Sequence, residues 1–292
     1  MKLFKFPFLV SIAVLALVVA VSFAASGGNR QSPGKAESPV KPVVRVTEKS
    51  VTKAAPLTTS AVQNASLRNE LTWTFGGKQQ RGWYLYDLLI AETLKSNDDP
   101  LTNDFAETLA HWQKKRGVSA DGVLDQDTMM SLVSYWQSNR LKNKAYAQPD
   151  QLLTAPASDF YDPARADELR QVDREAYVAY KKMIAAAIAD PELKLAPAGK
   201  YFKIISSFRS REYQENLRRN SPNSGSAGLA VNSPHFTGRA LDIYVGGSPV
   251  DTNDANRAIQ VNTPAYRWLV RNADRFGFRP YFYEPWHWEY VK

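Results

Sequence analysis

Two stretches of this chain set histidine among strand-forming residues. In "SPHFTGRALDIYV", residues 233–245, His235 is followed seven residues later by Asp242, which sits among Ala240, Leu241 and Ile243. In "YEPWHWEYVK", residues 283–292, His287 lies in an aromatic run. Side chains alternate along a strand, so Leu241 and Ile243 share one face while Ala240, Asp242 and Tyr244 share the other. An ionised carboxylate in the middle of a buried strand pairs with a base, accepts several hydrogen bonds or ligates a metal. Pairing would draw on Arg209, Arg211 or Lys203, because a regular strand turns Arg239 to the opposite face. Metal ligation would draw on His235, Asp242 and His287, three protein ligands that leave the fourth position of a catalytic zinc to water. A hard-ion site would be richer in carboxylates and carbonyls, so zinc is the better fit. Spacing alone leaves both alternatives open.

The elements that must hold these residues read as a small α+β domain over residues 160–292. "DPARADELRQVDREAYVAYKKMIAAAIAD" has the period of one long amphipathic helix with Leu169, Val172, Ala176, Tyr180, Met183 and Ala187 inward, ended by Pro191. "YFKIISS" and "RALDIYV" read as strands, "REYQENLRRN" as a short helix, and "WHWEYV" as the last strand. "NTPAYRWLVRNADRFGF" reads as a helix with Thr263 as cap, Pro264 at its first position and Gly277 at its stop. Helices segregated beside a small antiparallel sheet define the α+β class.

At 292 residues there is room for more than this domain. Lys2 and Lys5 precede an apolar run from Phe6 to about Ala25, and residues 1–25 read as a signal peptide. Residues 6–25 are also long enough to anchor the chain in a membrane. Either reading exports the rest, to the periplasm or cell envelope. The chain has no cysteine, so disulfides, lipid-modified cysteine and cysteine-ligated zinc are excluded. A net charge of +8 favours an anionic neighbourhood. No helical run interleaves basic and aromatic residues, which argues against nucleic acid as a partner. Residues 26–65, rich in Ser, Pro, Thr, Ala and Lys, read as a flexible linker, and residues 141–159 as a second one.

Residues 66–140 between the linkers are helical in pattern. Phe105, Leu109 and Trp112 line one helix face, Gly117 stops that helix, Asp121-Gly122 makes a turn, and Asp125 or Asp127 caps a helix from Thr128. His111 falls off the apolar stripe and reads as a solvated side chain. The simplest arrangement is three short helices. The string "FAETLAHWQKKRGVSADGVLDQDTMMSLV" resembles the peptidoglycan-binding module, with departures at Trp112-Gln113, where Phe-Gln is usual, and at Asp125, where Gly is frequent.

The C-terminal motifs carry a second resemblance. "SPHFTGRALD" is a complete Ser-x-His-x-x-Gly-x-Ala-x-Asp, "EPWH" is a Glu-x-x-His, and "SSFRSREYQ" precedes both. Together they resemble the zinc D-Ala-D-Ala carboxypeptidase family, the LAS metallopeptidases of the vancomycin-resistance carboxypeptidase and dipeptidase type. The resemblance implies that His235, Asp242 and His287 bind one zinc ion, that Glu284 is the catalytic base, and that Arg209 steadies the reacting carbonyl. Phe208 stands where the family more often has Tyr. Ser233 and Gln214 are candidates for substrate contact, although Ser233 also suits a turn start and Gln214 a solvated helix face. Glu289 is a rival base, since it shares strand parity with His287, and it is equally placed to orient that ligand. The expected activity is a D,D-carboxypeptidase acting on peptidoglycan stem peptides. The alternatives are an endopeptidase cutting within the stem peptide or cross-bridge, and a non-catalytic wall-binding protein with structural zinc.

Overall fold

A computed structural model describes residues 58–196, 199–221 and 228–292. The expected leader and most of the first linker lie outside them. The linker expected to run to residue 65 gives way earlier to a helix, α1 (Thr59–Glu70), because Thr58 caps it by accepting from the Ala61 N–H. Next comes a hairpin that the three-helix reading did not contain: β1 (Thr72–Phe75) pairs antiparallel with β2 (Lys78–Arg81). Gly76 and Gly77 connect them at φ 58° and 78°, the positive values that a two-residue turn compatible with strand twist demands.

Three further helices follow, α2 (Asp87–Leu94), α3 (Asn103–Arg116) and α4 (Gln126–Ser138), so the region holds four helices and a hairpin. Thr102 caps α3 and Asp125 caps α4, and Gly117 ends α3 at φ 72°. Phe105, Leu109, Leu124, Met129 and Leu132 are fully buried beneath Trp83, whose ring stacks on Phe105. Buried Gln113 locks the Asp121-Gly122 turn to α3: its amide donates to Val123 O (2.9 Å) and Thr128 Oγ1 (2.8 Å) and accepts from Gly122 N (2.8 Å). His111 is exposed.

Residues 141–159 do not run free. Ala147 N donates to Phe236 O, and Ala147, Leu152 and Phe208 form a small apolar cluster with Tyr146. β3 (Leu152–Thr154) pairs antiparallel with β4 (Gln171–Asp173). The long helix expected from residue 162 starts only at α5 (Arg174–Ala189), because Asp173 accepts from both the Glu175 and Ala176 N–H groups and fixes the N-terminus there. Val172 is therefore a strand residue, and Leu169 ends a short 3-10 turn.

The central sheet has four antiparallel strands in the order β5 (Ile204–Ser206), β6 (Ala240–Ile243), β8 (His287–Tyr290), β7 (Phe278–Pro280). One face buries Ile204, Leu241, Ile243, Phe278 and Trp288 in a core with Tyr180 and Met183 of α5. Ala265 and Leu269 of a further helix, Pro264–Asn272, join that core, and this helix carries the expected Thr263 cap and Pro264 start. The other face presents Asp242, His287 and Glu289, as the alternation of side chains requires, and a register shift between Ile204 and Ser206 turns Ser206 to that face as well.

The helical region and the sheet region share an apolar core. Phe282 lies 4.7 Å from Phe75, 5.6 Å from Tyr86 and 5.5 Å from Trp136 between ring centroids. Arg257, on helix Asp254–Val261, donates to Gln80 Oε1, Tyr86 Oη and Tyr283 O. Among the described residues no helix is long and apolar enough to cross a membrane.

Candidate metal centre and active site

His235 sits in a 3-10 turn, Pro234–Thr237, which Ser233 opens by accepting from the His235 N–H and Gly238 closes at φ 68°. A side chain at Gly238 would meet Leu152 Cδ2 at 2.7 Å and Asp173 N at 2.8 Å, so the motif glycine is required for the turn to lie against β3 and β4. Strands β6 and β8 pair Asp242 directly with His287, while β5 brings Ser206 to the other side of Asp242.

Hydrogen bonding fixes which atom of each ligand faces the centre. His235 Nδ1 lies 2.7 Å from Ser207 O, an acceptor only, so Nδ1 carries the proton and Nε2 is left with its lone pair 3.3 Å from Asp242 Oδ1. His287 Nδ1 lies 2.9 Å from Asp242 Oδ1, and its Nε2 lies 3.1 Å from Glu289 Oε1. The donor atoms of His235, Asp242 and His287 all fall within 4.8 Å of one another, and all three residues are buried. Two imidazole nitrogens and one carboxylate oxygen converging in this way fit zinc.

Both readings of Asp242 are realised together. Its Oδ1 faces the histidines, and its Oδ2 accepts from Arg209 Nη2 at 2.5 Å. Arg209 also donates to Ser206 Oγ (3.0 Å) and Gln214 Oε1 (3.3 Å). Burial alone would raise the Asp242 carboxyl, but its contacts with His235, Arg209 and His287 hold it well below the usual carboxylate range. Burial and the Arg209 charge pull His235 down to about 4, so it is neutral at pH 7 and available as a ligand. Burial also acts to lower His287, but hydrogen bonds to Asp242 and Glu289 override it and push this histidine up to about 9.

The two candidate bases occupy different places. Glu284 lines a cleft of about 560 Å³ that also reaches Arg209, Ser233, His235, Asp242 and His287. Its Oε2 lies 4.0 Å from His287 Nδ1, and burial, reinforced by the Asp242 charge, pushes its carboxyl up to about 8. Glu289 is fully buried away from the cleft lining. It accepts from Arg140 Nε (3.1 Å), from Arg140 Nη2 and from the Leu141 N–H (2.9 Å), as well as facing His287. Burial alone would raise Glu289, but the His287 and Arg140 contacts bring it down to about 2. The geometry sets Glu289 against His287 and Arg140, where it can orient the histidine, and places the Glu284 carboxyl on the cleft.

Ser233 lines the cleft while capping the His235 turn. Gln214 is a correction to the expected substrate contact. It is buried, with Oε1 taken by Arg209 and Nε2 donating to Ala230 O at 3.0 Å, so it ties Arg209 to the segment before Ser233. Sequence reasoning missed Arg140, which bonds Glu289 across 149 residues of chain and stacks 3.8 Å from the Tyr281 ring centroid. No local pattern announces such a contact.

His287 has a carboxylate at each ring nitrogen, so without metal it holds both protons, and a metal must displace the one on Nδ1. With His287 pushed up to about 9, zinc affinity of the full chain is expected to rise about tenfold per pH unit from pH 7 to about 9 and then level off. Competition against a chelator across that range measures it, and a flat profile would contradict a doubly protonated His287 in the metal-free protein. His235→Ala or His287→Ala should abolish tight binding of the single ion, read as metal content after dialysis.

Residues 169–292 match the VanY family, D-alanyl-D-alanine carboxypeptidase. Among solved structures the chain is similar in part to the LdcB LD-carboxypeptidase, at 27% identity over 51% of this chain and 71% of that one, with a TM-score of 0.37. It is also similar to the vancomycin resistance D,D-pentapeptidase VanY of a VanB-type cassette in complex with Zn(II). That likeness has 19% identity, covers 54% of this chain and 89% of that one, and has a TM-score of 0.32. A comparison with curated proteins gave no significant match. The weight rests on the family match, because the matched segment contains Arg209, His235, Asp242, Glu284 and His287 on one cleft. Residues 169–292 thus carry a match to the VanY D-alanyl-D-alanine carboxypeptidase family, and the centre within them has the donor set of a zinc metallopeptidase.

Proposed function

We propose that the chain is a zinc D,D-carboxypeptidase that removes the terminal D-alanine of peptidoglycan stem peptides. The observation that carries this reading is a three-residue ligand set opening, together with Glu284, onto a substrate-sized cleft. A structural zinc site would close its fourth position with a protein ligand, and this one faces the cavity. Zinc at His235 Nε2, Asp242 and His287 Nδ1 would supply an electrophile for the scissile carbonyl and lower the pKa of water from 15.7 to about 7.

The remaining work falls to the chain's own side chains. Glu284 takes a proton from the attacking water and delivers it to the leaving amine, and burial, which raises its carboxyl above the ordinary glutamate range, makes it a better proton acceptor than an exposed carboxylate. Arg209 is held by Ser206, Gln214 and Asp242 at the cleft wall, where its guanidinium can donate to the carbonyl oxygen as charge develops there. The same residue fixes the orientation of Asp242. The apolar leader and linker support a reaction outside the cytoplasm, in the periplasm or envelope, with residues 6–25 as cleaved signal or anchor. The likeness of residues 105–133 to peptidoglycan-binding modules supports a second contact with the wall.

The test is mass spectrometry of defined muropeptides after incubation with the zinc-loaded full chain. Loss of one C-terminal alanine from the pentapeptide stem is expected. Cleavage only inside the stem or at the cross-bridge would make the enzyme an endopeptidase, and no cleavage of any stem would leave a wall-binding protein.

A further inference from the structure

The cleft is not walled by the family-matching segment alone. Phe75 and Gly76 at the hairpin tip, Gln137 and Arg140 at the end of α4, and Lys144 just beyond it also line the cavity that holds the metal ligands. All five precede residue 169. Two of them are fixed by contacts with the family-matching segment: Phe75 packs on Phe282 and Arg140 bonds Glu289.

Four cations reach this cavity, Arg140, Lys144, Arg165 and Arg209, against the carboxylates of Asp242 and Glu284. Arg209 is engaged by Asp242, Arg140 by Glu289, and Arg165 Nε by Leu169 O. Lys144 differs: among the described residues its ammonium has no hydrogen bond and no ion pair. It is half-buried, and burial with the adjacent Arg140 charge lowers its pKa against the weaker pull of Glu289. A partly desolvated cation beside another cation is an electrostatic demand for an anion, and a peptide substrate carries that anion as a carboxylate.

We infer that Lys144 binds a free carboxylate of the peptide substrate, so that the region preceding the family segment selects which peptides enter the cleft. The inference rests on the peptidase reading above. A carboxylate at the chain end and one on a side chain present the same chemistry to Lys144, and the test separates them. The zinc-loaded full chain and its Lys144→Met variant are compared on three peptides: the free acid, the same peptide amidated at its C-terminus, and the same peptide amidated at its side-chain carboxylate.

For the free acid, kcat/KM is expected to fall about 10-fold or more in Lys144→Met, mainly through KM, as loss of a charge-assisted hydrogen bond predicts. Amidating the carboxylate that Lys144 holds should remove most of the difference between the two proteins, and Lys144→Arg should restore most of the lost preference. Equal metal content in all three proteins excludes an indirect effect through the centre. If Lys144→Met falls equally on all three peptides, or on none, Lys144 is not a carboxylate anchor. If the unsubstituted enzyme cleaves no peptide, the peptidase reading has failed and the inference with it.

Discussion

Glu284→Gln is expected to lower turnover by roughly 10²–10⁴ while zinc content stays unchanged, since this is the usual contribution of a positioned general acid–base group. The substitution keeps the size of the side chain and most of its hydrogen-bonding shape but removes its ability to accept a proton. Glu284 is not one of the three converging ligands, so metal retention is part of the prediction and not an assumption. Single-turnover rates with metal analysis on the same samples measure both quantities. Near-normal turnover in this variant would remove Glu284 from the mechanism. The neighbouring comparison is Glu289→Gln, in which the remaining carbonyl oxygen can still accept from Arg140, so its loss of rate should be smaller.

The second large effect concerns stability. Glu289→Ala should destabilise the protein by about 3–5 kcal/mol, because it leaves the Arg140 guanidinium, its side chain 15% exposed, without the carboxylate it pairs with. It should also weaken zinc by about 10–100-fold, since His287 loses the acceptor that fixes its ring. Chemical denaturation of the metal-free protein reads the first effect and chelator competition the second. The pH dependence follows from the direction of the shift. Glu289 stands at about 2 in the fold, below its unfolded value near 4.5, so its contribution is fully present above about pH 4.5 and is lost as pH falls toward 2. The parent's acid limb of stability should therefore be steeper between those values than that of Glu289→Ala. Identical limbs would show that the Glu289 network does not stabilise the fold.

What could be read from the sequence was whatever depends on spacing within one element. His235, Asp242, Glu284 and His287 lie in short strings whose alternation and turn chemistry place them without reference to the rest of the chain. Thr263 and Pro264 start a helix for equally local reasons. The start of α5 was misplaced because its apolar period continues backward through Val172 and Leu169, while the Asp173 cap overrides the period. The Gly76-Gly77 hairpin carried a local signal, two glycines between Phe75 and a short strand, which the helical pattern around it obscured. The Arg140 and Lys144 contributions had no local signal, because they exist only once α4 has packed against the segment that leads into the last strand.

That packing has a consequence for how the chain can be divided. Tyr281, Phe282 and Tyr283 bury themselves among Trp73, Tyr86 and Trp136, and the next residue is Glu284. Excising the family segment would strip the cover from three adjacent aromatic rings immediately before the Glu284 carboxylate. The front half is therefore no detachable cartridge: a recombinant shuffle that gave this peptidase another amino-terminal partner would succeed only where the newcomer brought its own socket for Phe282.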